Sequence, residues 1–175
     1  MAIYNGKHVV FEQVGVDSDT VAWNQSTNTD GDGCYNNWDI SNIRNSVLPT
    51  KALALSSELY ATLTNTTIQT AKNGNSSTLV STSDKTFILA EKEMTASPTK
   101  AVSQESSALT TLNYWVNHNQ MSDRIKKDKY NRIQYYWLRS PLFETVEGVV
   151  FIFSDGGIVA APFNNSRCLA QCFAY

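Results

Sequence analysis

The run Tyr135-Tyr136-Trp137-Leu138-Arg139-Ser140-Pro141, with the forty residues it opens, constrains this chain more than any other stretch. Three aromatics and a leucine in succession read as a buried strand. Along it Tyr136 and Leu138 point one way and Trp137 and Arg139 the other. A guanidinium beside a large aromatic can stack on the ring and satisfy buried carbonyls with its planar donors, so Arg139 is expected to hold structure rather than ligand. Ser140-Pro141 ends this strand, and Gly148 to Phe153 forms the next. Ser154-Asp155-Gly156-Gly157 supplies the positive-φ turn of a tight hairpin, and Ile158 to Ala161 returns. Asn164-Asn165-Ser166 is a further turn, and Cys168 to Tyr175 closes the chain as a strand.

The opposite end also reads as sheet. His8 to Val14 is rich in β-branched and aromatic residues, Asp17-Ser18-Asp19 gives a turn, and Thr20 to Trp23 resumes strand character. A polar loop spans Gln25 to Gly33. Ser41 is a plausible N-cap for a short helix carrying Ile43, Val47 and Leu48, with Pro49 blocking its continuation. Helical spacing of Leu53, Leu55, Leu59, Tyr60 and Leu63 suggests a second helix over 52–63, and Leu109, Leu112 and Trp115 a third over 106–116. Between them Asn65 to Ser77, with Asn73-Gly74, is a hairpin or long loop, and Thr86 to Ala90 a short buried strand. Strands at both ends with helices between predict an α+β domain with mixed or antiparallel sheets, its termini side by side.

At 175 residues the chain fits one domain, residues 1–175, large enough to bury a core without staples. Only 17% of residues are charged, and Ser, Thr and Asn fill the difference, favouring turns and strands over long helices. A net charge of −2 argues against a nucleic-acid partner, which would need a clustered basic face. The only basic run, Arg124 to Lys129, is interrupted by Asp128 and reads as a solvated loop or helix end. No apolar run approaches the roughly 18 residues of a membrane span, so no membrane insertion is expected. Met1 to Gly6 lacks a basic region followed by an apolar one, so no secretory signal is expected there. Cys34, Cys168 and Cys172 cannot all pair, and buried free thiols are the default.

Several blocks together resemble a family of uncharacterised bacterial and phage domains with a C-type-lectin-like fold. Its relatives include formylglycine-generating sulfatase-modifying enzymes and the variable proteins diversified by retroelements. Trp38, Ser41, Ile43, Arg44 and Leu48 match the family's helix start. Asp84-Lys85-Thr86-Phe87-Ile88-Leu89 and Glu93 match its central strand and following glutamate. Tyr136 to Pro141 matches its hallmark, and Val149 to Gly157 the strand and glycine turn after it. The resemblance covers about residues 35–175, with residues 1–34 adding N-terminal strands and a loop. It departs at Cys168-Leu169-Ala170-Gln171-Cys172-Phe173, where the family carries Gly-Val-Arg-Pro-Ala-Phe. It implies that Trp38, Ser41, Arg44, Trp137 and Arg139 are scaffold, with a carboxylate or strand-end carbonyl as the partner of Arg44.

Catalytic patterns are weak. His8 and His118 stand in unrelated contexts, and the cysteines do not match the pair that the formylglycine-generating relatives need. The carboxylate pairs Asp17/Asp19 and Glu91/Glu93 read as solvated rather than as acid/base partners. Asn28, Asp30, Asp32 and Asp39 superficially follow a calcium loop, but ordinary turn chemistry explains the same residues. No cofactor and no metal are therefore expected, and the chain reads as no enzyme. In lectin-like folds the loops between the last strands form the recognition face. Here they offer Phe143 and Phe163, Glu144, Asn164, Asn165 and Arg167, a mixture suited to a cell-surface glycan or protein. The expectation is a non-catalytic recognition module of a phage or prophage particle, located in the virion tail or on the bacterial surface. The runner-up is an assembly protein acting as a homo-oligomer such as a trimer or with other tail proteins. A degenerate formylglycine-generating enzyme comes third.

Overall fold

The computed structural model describes residues 2–4 and 8–174, with side chains from Glu12 onward. Among them the chain begins with β1 (Ala2–Tyr4), β2 (His8–Glu12) and β3 (Val21–Ala22). A 3-10 turn (Trp38–Ile40) and a π-helical turn (Ile43–Val47) lead into α1 (Leu48–Leu53) and α2 (Ser57–Thr62). Strands β4 (Thr66–Ala71), β5 (Leu79–Asp84) and β6 (Thr86–Phe87) precede α3 (Glu91–Met94), α4 (Ser103–Ala108) and α5 (Asn113–Asn117). A 3-10 turn (Met121–Arg124) then precedes β7 (Lys126–Lys127), β8 (Ile133–Gln134) and β9 (Tyr136–Pro141). The chain ends through β10 (Gly148–Ile152), β11 (Ile158–Pro162), β12 (Ser166–Arg167) and β13 (Cys172–Ala174).

This is a mixed α+β fold of small antiparallel sheets. The termini lie side by side, as their strand patterns predict: β13 pairs with β2, Phe173 opposite Phe11, and on its other edge with β6. A second sheet, in the order β11-β10-β9, carries the C-terminal strands, and Gly156 takes the positive φ of +85° in its hairpin turn. Tyr136 joins the two regions through an isolated parallel bridge to Cys168. The 65–77 segment is part strand and part turn, since β4 and β5 form a hairpin around it.

The helices are shorter and more numerous than their spacing predicts. Ser41 does cap, its Oγ accepting from Arg44 N at 3.2 Å. Pro49 does not block the helix; it sits in the first turn of α1, where a missing N–H costs nothing. The π-helical turn prepares this, with Leu48 N bonded back to Ile43 O before the proline arrives. The helix expected over 52–63 breaks after Leu53, which is 71% exposed, and restarts where Ser56 Oγ accepts from Leu59 N. The helix expected over 106–116 breaks at residues 109–112, yet Leu109, Leu112 and Trp115 are all buried. Their spacing reported burial, not continuity.

Four indole or phenol tips in the core find partners, as buried aromatics of this kind require. Trp23 Nε1 donates to Leu138 O (3.2 Å), Trp137 Nε1 to Val21 O (2.9 Å) and Tyr136 Oη to Arg124 O (2.8 Å). Trp38 Nε1 reaches Asp84 Oδ2 at 3.4 Å. The blocks that carry the family resemblance meet here. Arg44 Nε binds both oxygens of Asp84 (2.9 and 3.2 Å), the expected carboxylate partner, while the carbonyl its Nη1 reaches, Asp39 O, belongs to the 3-10 turn and not to a strand end. Arg139 pairs with Glu93 through two bonds of 2.6 and 2.7 Å and donates to Ile88 O and Gln69 O. Arg139 thus relies on a carboxylate as well as the carbonyls expected of it.

Two expectations are overturned. Glu91 and Glu93 are fully buried, because each has a complete set of donors. Arg124 and Lys126 are buried too, so the basic run is not a solvated face. Lys126 Nζ binds Glu12 Oε1 (3.2 Å) and Gln13 O (2.7 Å), and Arg124 Nη1 binds Gly156 O (3.2 Å).

Candidate functional site

The loop from Leu142 to Gly148 joins β9 to β10 and is held at nearly every residue. Leu142 N donates to Gly148 O (2.9 Å), Phe143 N to Lys100 O (3.0 Å) and Glu144 N to Gly74 O (2.8 Å). Tyr35 N donates to Val146 O (2.8 Å), and Thr145 Oγ1 accepts from Gly148 N (3.0 Å). The buried Asn36 amide donates to both Thr145 O (3.0 Å) and Gly148 O (2.9 Å). Gly74 makes the docking possible, since a Cβ there would lie 2.1 Å from Leu142 O and 2.3 Å from Thr145 O. Glu144, a non-glycine residue, is thereby held at a φ of 59°. The cost of that conformation is met by the contacts around it.

Glu91 acts on this loop from a distance. Its carboxylate accepts from the backbone N–H groups of Thr99 (2.8 Å), Lys100 (3.0 Å) and Ala101 (2.6 Å). The same segment supplies Lys100 O to Phe143 N and bridges Leu142 through Ala101. A buried carboxylate thus shapes the strip that fixes an exposed aromatic. The sequence offers one clue to it: an alternating Glu-x-Glu directly behind a buried strand.

What the loop presents is a ring and two carboxylates between two depressions. Phe143 is 52% exposed and Val146 39%. One cleft of about 510 Å³ lies between this loop and the end of β11, lined by Glu144, Val146, Glu147 and Pro162 among others. The second, of about 290 Å³, lies on the far side of Phe143 and Glu144, against Asn75, Ser76, Ser103 and Gln104. Glu144 and Asn75 border both. Neither Glu144 nor Glu147 forms an ion pair among the described residues, which leaves their oxygens open to donors from outside.

The structure thus brings the two predicted loops to one cleft but does not gather all six predicted residues there. Glu144 stands at it, Phe143 lines the second cleft instead, and Asn164 and Asn165 are exposed on the turn just beyond Pro162. Phe163 is a correction: it is 4% exposed and stacked on Tyr35 at 4.4 Å between centroids, so it is core. Arg167 lies elsewhere, with its guanidinium 4.5 Å from the ring centre of Phe151. Phe151 is three ladder steps from Gly148, or about 10 Å along the strand.

The other candidates are tied into the fold. Asp30 accepts from Asp32 N, Cys34 N, Asn37 and Asn73, while Asp32 pairs with Lys72 and Asp39 with Arg44. Asn28 donates to Asn24 Oδ1 at 3.4 Å. Burial alone would raise the Asp30 carboxyl, but the bonds from Asn73, the backbone and Asn37 hold it below its ordinary value. Among the described residues no cluster of three His, Cys, Asp or Glu side chains could hold a metal ion. His118 ends α5, its Nδ1 2.8 Å from Tyr114 O, and the His8 side chain lies outside the described residues. Cys34, Cys168 and Cys172 are free and buried, and burial pushes the Cys168 thiol up to about 11. Such a thiol stays protonated at neutral pH and is a poor nucleophile.

Taken together, the fold is a small α+β domain that presents a pinned loop and two shallow clefts at one end of an antiparallel sheet. The chain belongs to the family described as Domain of unknown function (DUF6273), whose model matches residues 13–169. A search of curated proteins and a search of solved structures find no match. No helix among the described residues is long and apolar enough to cross a membrane.

Proposed function

We propose that this chain is a non-catalytic recognition domain with a C-type-lectin-like fold, and that it binds a cell-surface glycan through the Leu142–Gly148 face. Pairing of the last strand, β13, with β2 near the start of the chain, beside a three-stranded sheet with loops gathered at its end, supports the fold reading. The observation that carries the function is the exposed Phe143 ring beside the unpaired Glu144 carboxylate, on a loop that seven backbone-directed hydrogen bonds hold in place. A sugar ring offers an apolar face to an aromatic and a rim of hydroxyls to carboxylates and amides. Phe143, Glu144, Asn75, Gln104 and Ser103 supply those counterparts around one cleft. Holding them rigid beforehand lowers the entropy lost on binding. The resemblance to phage and bacterial domains supports reading it as part of a phage tail or a bacterial surface.

A glycan array tests this directly. Wild type retains defined saccharides, and Phe143→Ala with Glu144→Gln loses them while melting at the wild-type temperature. Equal retention by the folded variant rejects the site, and an array without any retained saccharide rejects the reading.

A further inference from the structure

Arg167 is a predicted ligand residue that lies away from the pinned loop. It lies on β12, opposite Val21, and its guanidinium rests against three rings. The distances to the ring centres are 4.5 Å for Phe151, 5.7 Å for Trp137 and 5.7 Å for Tyr135. Tyr135 is itself 4.8 Å from Phe153, and these two rings are 37% and 41% exposed. The platform is therefore partly solvent-facing, with the cation lying on it.

The hydrogen bonding of this arginine is incomplete. Among the described residues Nη1 donates to Ser166 O at 2.8 Å, while the buried Nε has no partner. It forms no ion pair there either; Arg44, Arg132 and Arg139 each hold a carboxylate, and Arg124, which does not, is satisfied by two backbone carbonyls where Arg167 has one. Burial pulls the guanidinium below its ordinary value, yet an arginine remains charged at any physiological pH. Leaving a half-buried cation with an idle donor is unfavourable, and the geometry that stacks it also fixes its planar fork. A planar carboxylate satisfies such a fork with two parallel bonds. Among the described residues no other cation lies over these three rings.

We infer that Arg167, lying on Phe151, Trp137 and Tyr135, is a subsite for the carboxylate of an acidic saccharide. The inference rests on the glycan-binding reading above and narrows its ligand class to sugars that carry one carboxylate. The next residues along the chain support a sugar over a peptide: Ser166 and the exposed Asn164 and Asn165 adjoin the arginine with hydroxyl and amide groups. Phe151 of the subsite lies three strand residues, about 10 Å, from Gly148, which lines the larger cleft with Glu144 and Glu147. That spacing keeps its charge apart from Glu144 and Glu147.

The test is an NMR titration of full-length wild type with glucuronate, with neutral glucose and with an acetylated acidic dipeptide, at one ionic strength. Glucuronate is expected to shift the Arg167 Nε–H signal and to bind about tenfold more tightly than glucose. Arg167→Gln and Arg167→Met, checked for an unchanged melting temperature, are expected to lose that preference and keep the affinity for glucose. Equal affinity of wild type for glucuronate and glucose overturns the inference while the glycan reading stands. A shift by the dipeptide equal to that by glucuronate overturns the sugar assignment. If glucuronate binds through Arg167 but Phe143→Ala changes neither sugar, the subsite holds and the Phe143 site fails.

Discussion

Arg139 is a fully buried cation, held by both oxygens of Glu93 and by carbonyls of two other segments. Removing it leaves a buried carboxylate without its partner, an error larger than the loss of packing. Arg139→Met is expected to cost about 3–5 kcal/mol in urea denaturation, and adding Glu93→Gln to recover part of that. A loss below about 1 kcal/mol would show that the pair is not desolvated as described. Glu105 behaves differently because its donors are neutral. Thr70 Oγ1 (2.5 Å), Ala71 N (3.0 Å) and the Ser140 hydroxyl satisfy it, yet burial raises its carboxyl above the ordinary value despite them and Arg139. Above pH 4.5 the folded state therefore keeps a proton that the unfolded chain has released. Its contribution is full below that pH and is lost as pH rises through the folded value. Glu12, also raised by burial, acts in the same direction but is common to wild type and variant. The stability difference between wild type and Glu105→Gln should shrink from pH 4.5 to pH 8 in paired denaturation curves. A difference that stays constant or grows would contradict the assignment.

At the scale of elements, the loop from Leu142 to Gly148 depends on the β4–β5 turn beneath it. A methyl group at Gly74 would collide with two backbone oxygens that have no room to retreat, since each lies in a loop pinned elsewhere. Gly74→Ala should destabilise the fold by about 1–3 kcal/mol and weaken saccharide binding more than Phe143-independent properties, read by melting and by titration. Unaltered affinity in the folded variant would mean that loop position does not matter to the site. The sequence foretold the strands better than the helices, for a physical reason. The strands expected at Tyr135 to Leu138 and Gly148 to Phe153 are marked by residues that a buried sheet hides, and both form, although β9 runs on through Ser140 and Pro141, which the sequence marks as its end. The helical periodicities are real, but Ser56 and residues 109–112 interrupt them, where local capping and loop bonds outweigh propensity. The site was half legible. Phe143 and Glu144 could be picked out as exposed loop residues, whereas Phe163 looks the same in sequence but packs into the core, stacked on Tyr35. Glu91 and Gly74 were hidden because their roles lie in contacts with segments about ten to seventy residues away.

At the scale of the molecule, two parts do different work. Strands β2, β13 and β6 close the chain on itself, while the Arg44–Asp84 and Arg139–Glu93 pairs tie the segments between them. That interior is charged, paired and rigid. The end of the β9–β10–β11 sheet is different: its clefts are shallow, its carboxylates unpaired and its aromatic side chains open to solvent. A recognition domain needs this division, since a fixed frame is what holds an exposed loop ready for a ligand. The central claim is that saccharide contact falls on the second part alone. Amide chemical-shift mapping of the whole chain, titrated with the saccharides that an array retains, measures this in one experiment. The account predicts shifts concentrated in residues 74–77, 102–104 and 142–148, joined by Tyr135 and residues 164–167 where the saccharide carries a carboxylate, with the Arg139–Glu93 core silent. Shifts centred instead on the β4–β5 face or on the helices, with the 142–148 loop unmoved, would contradict it.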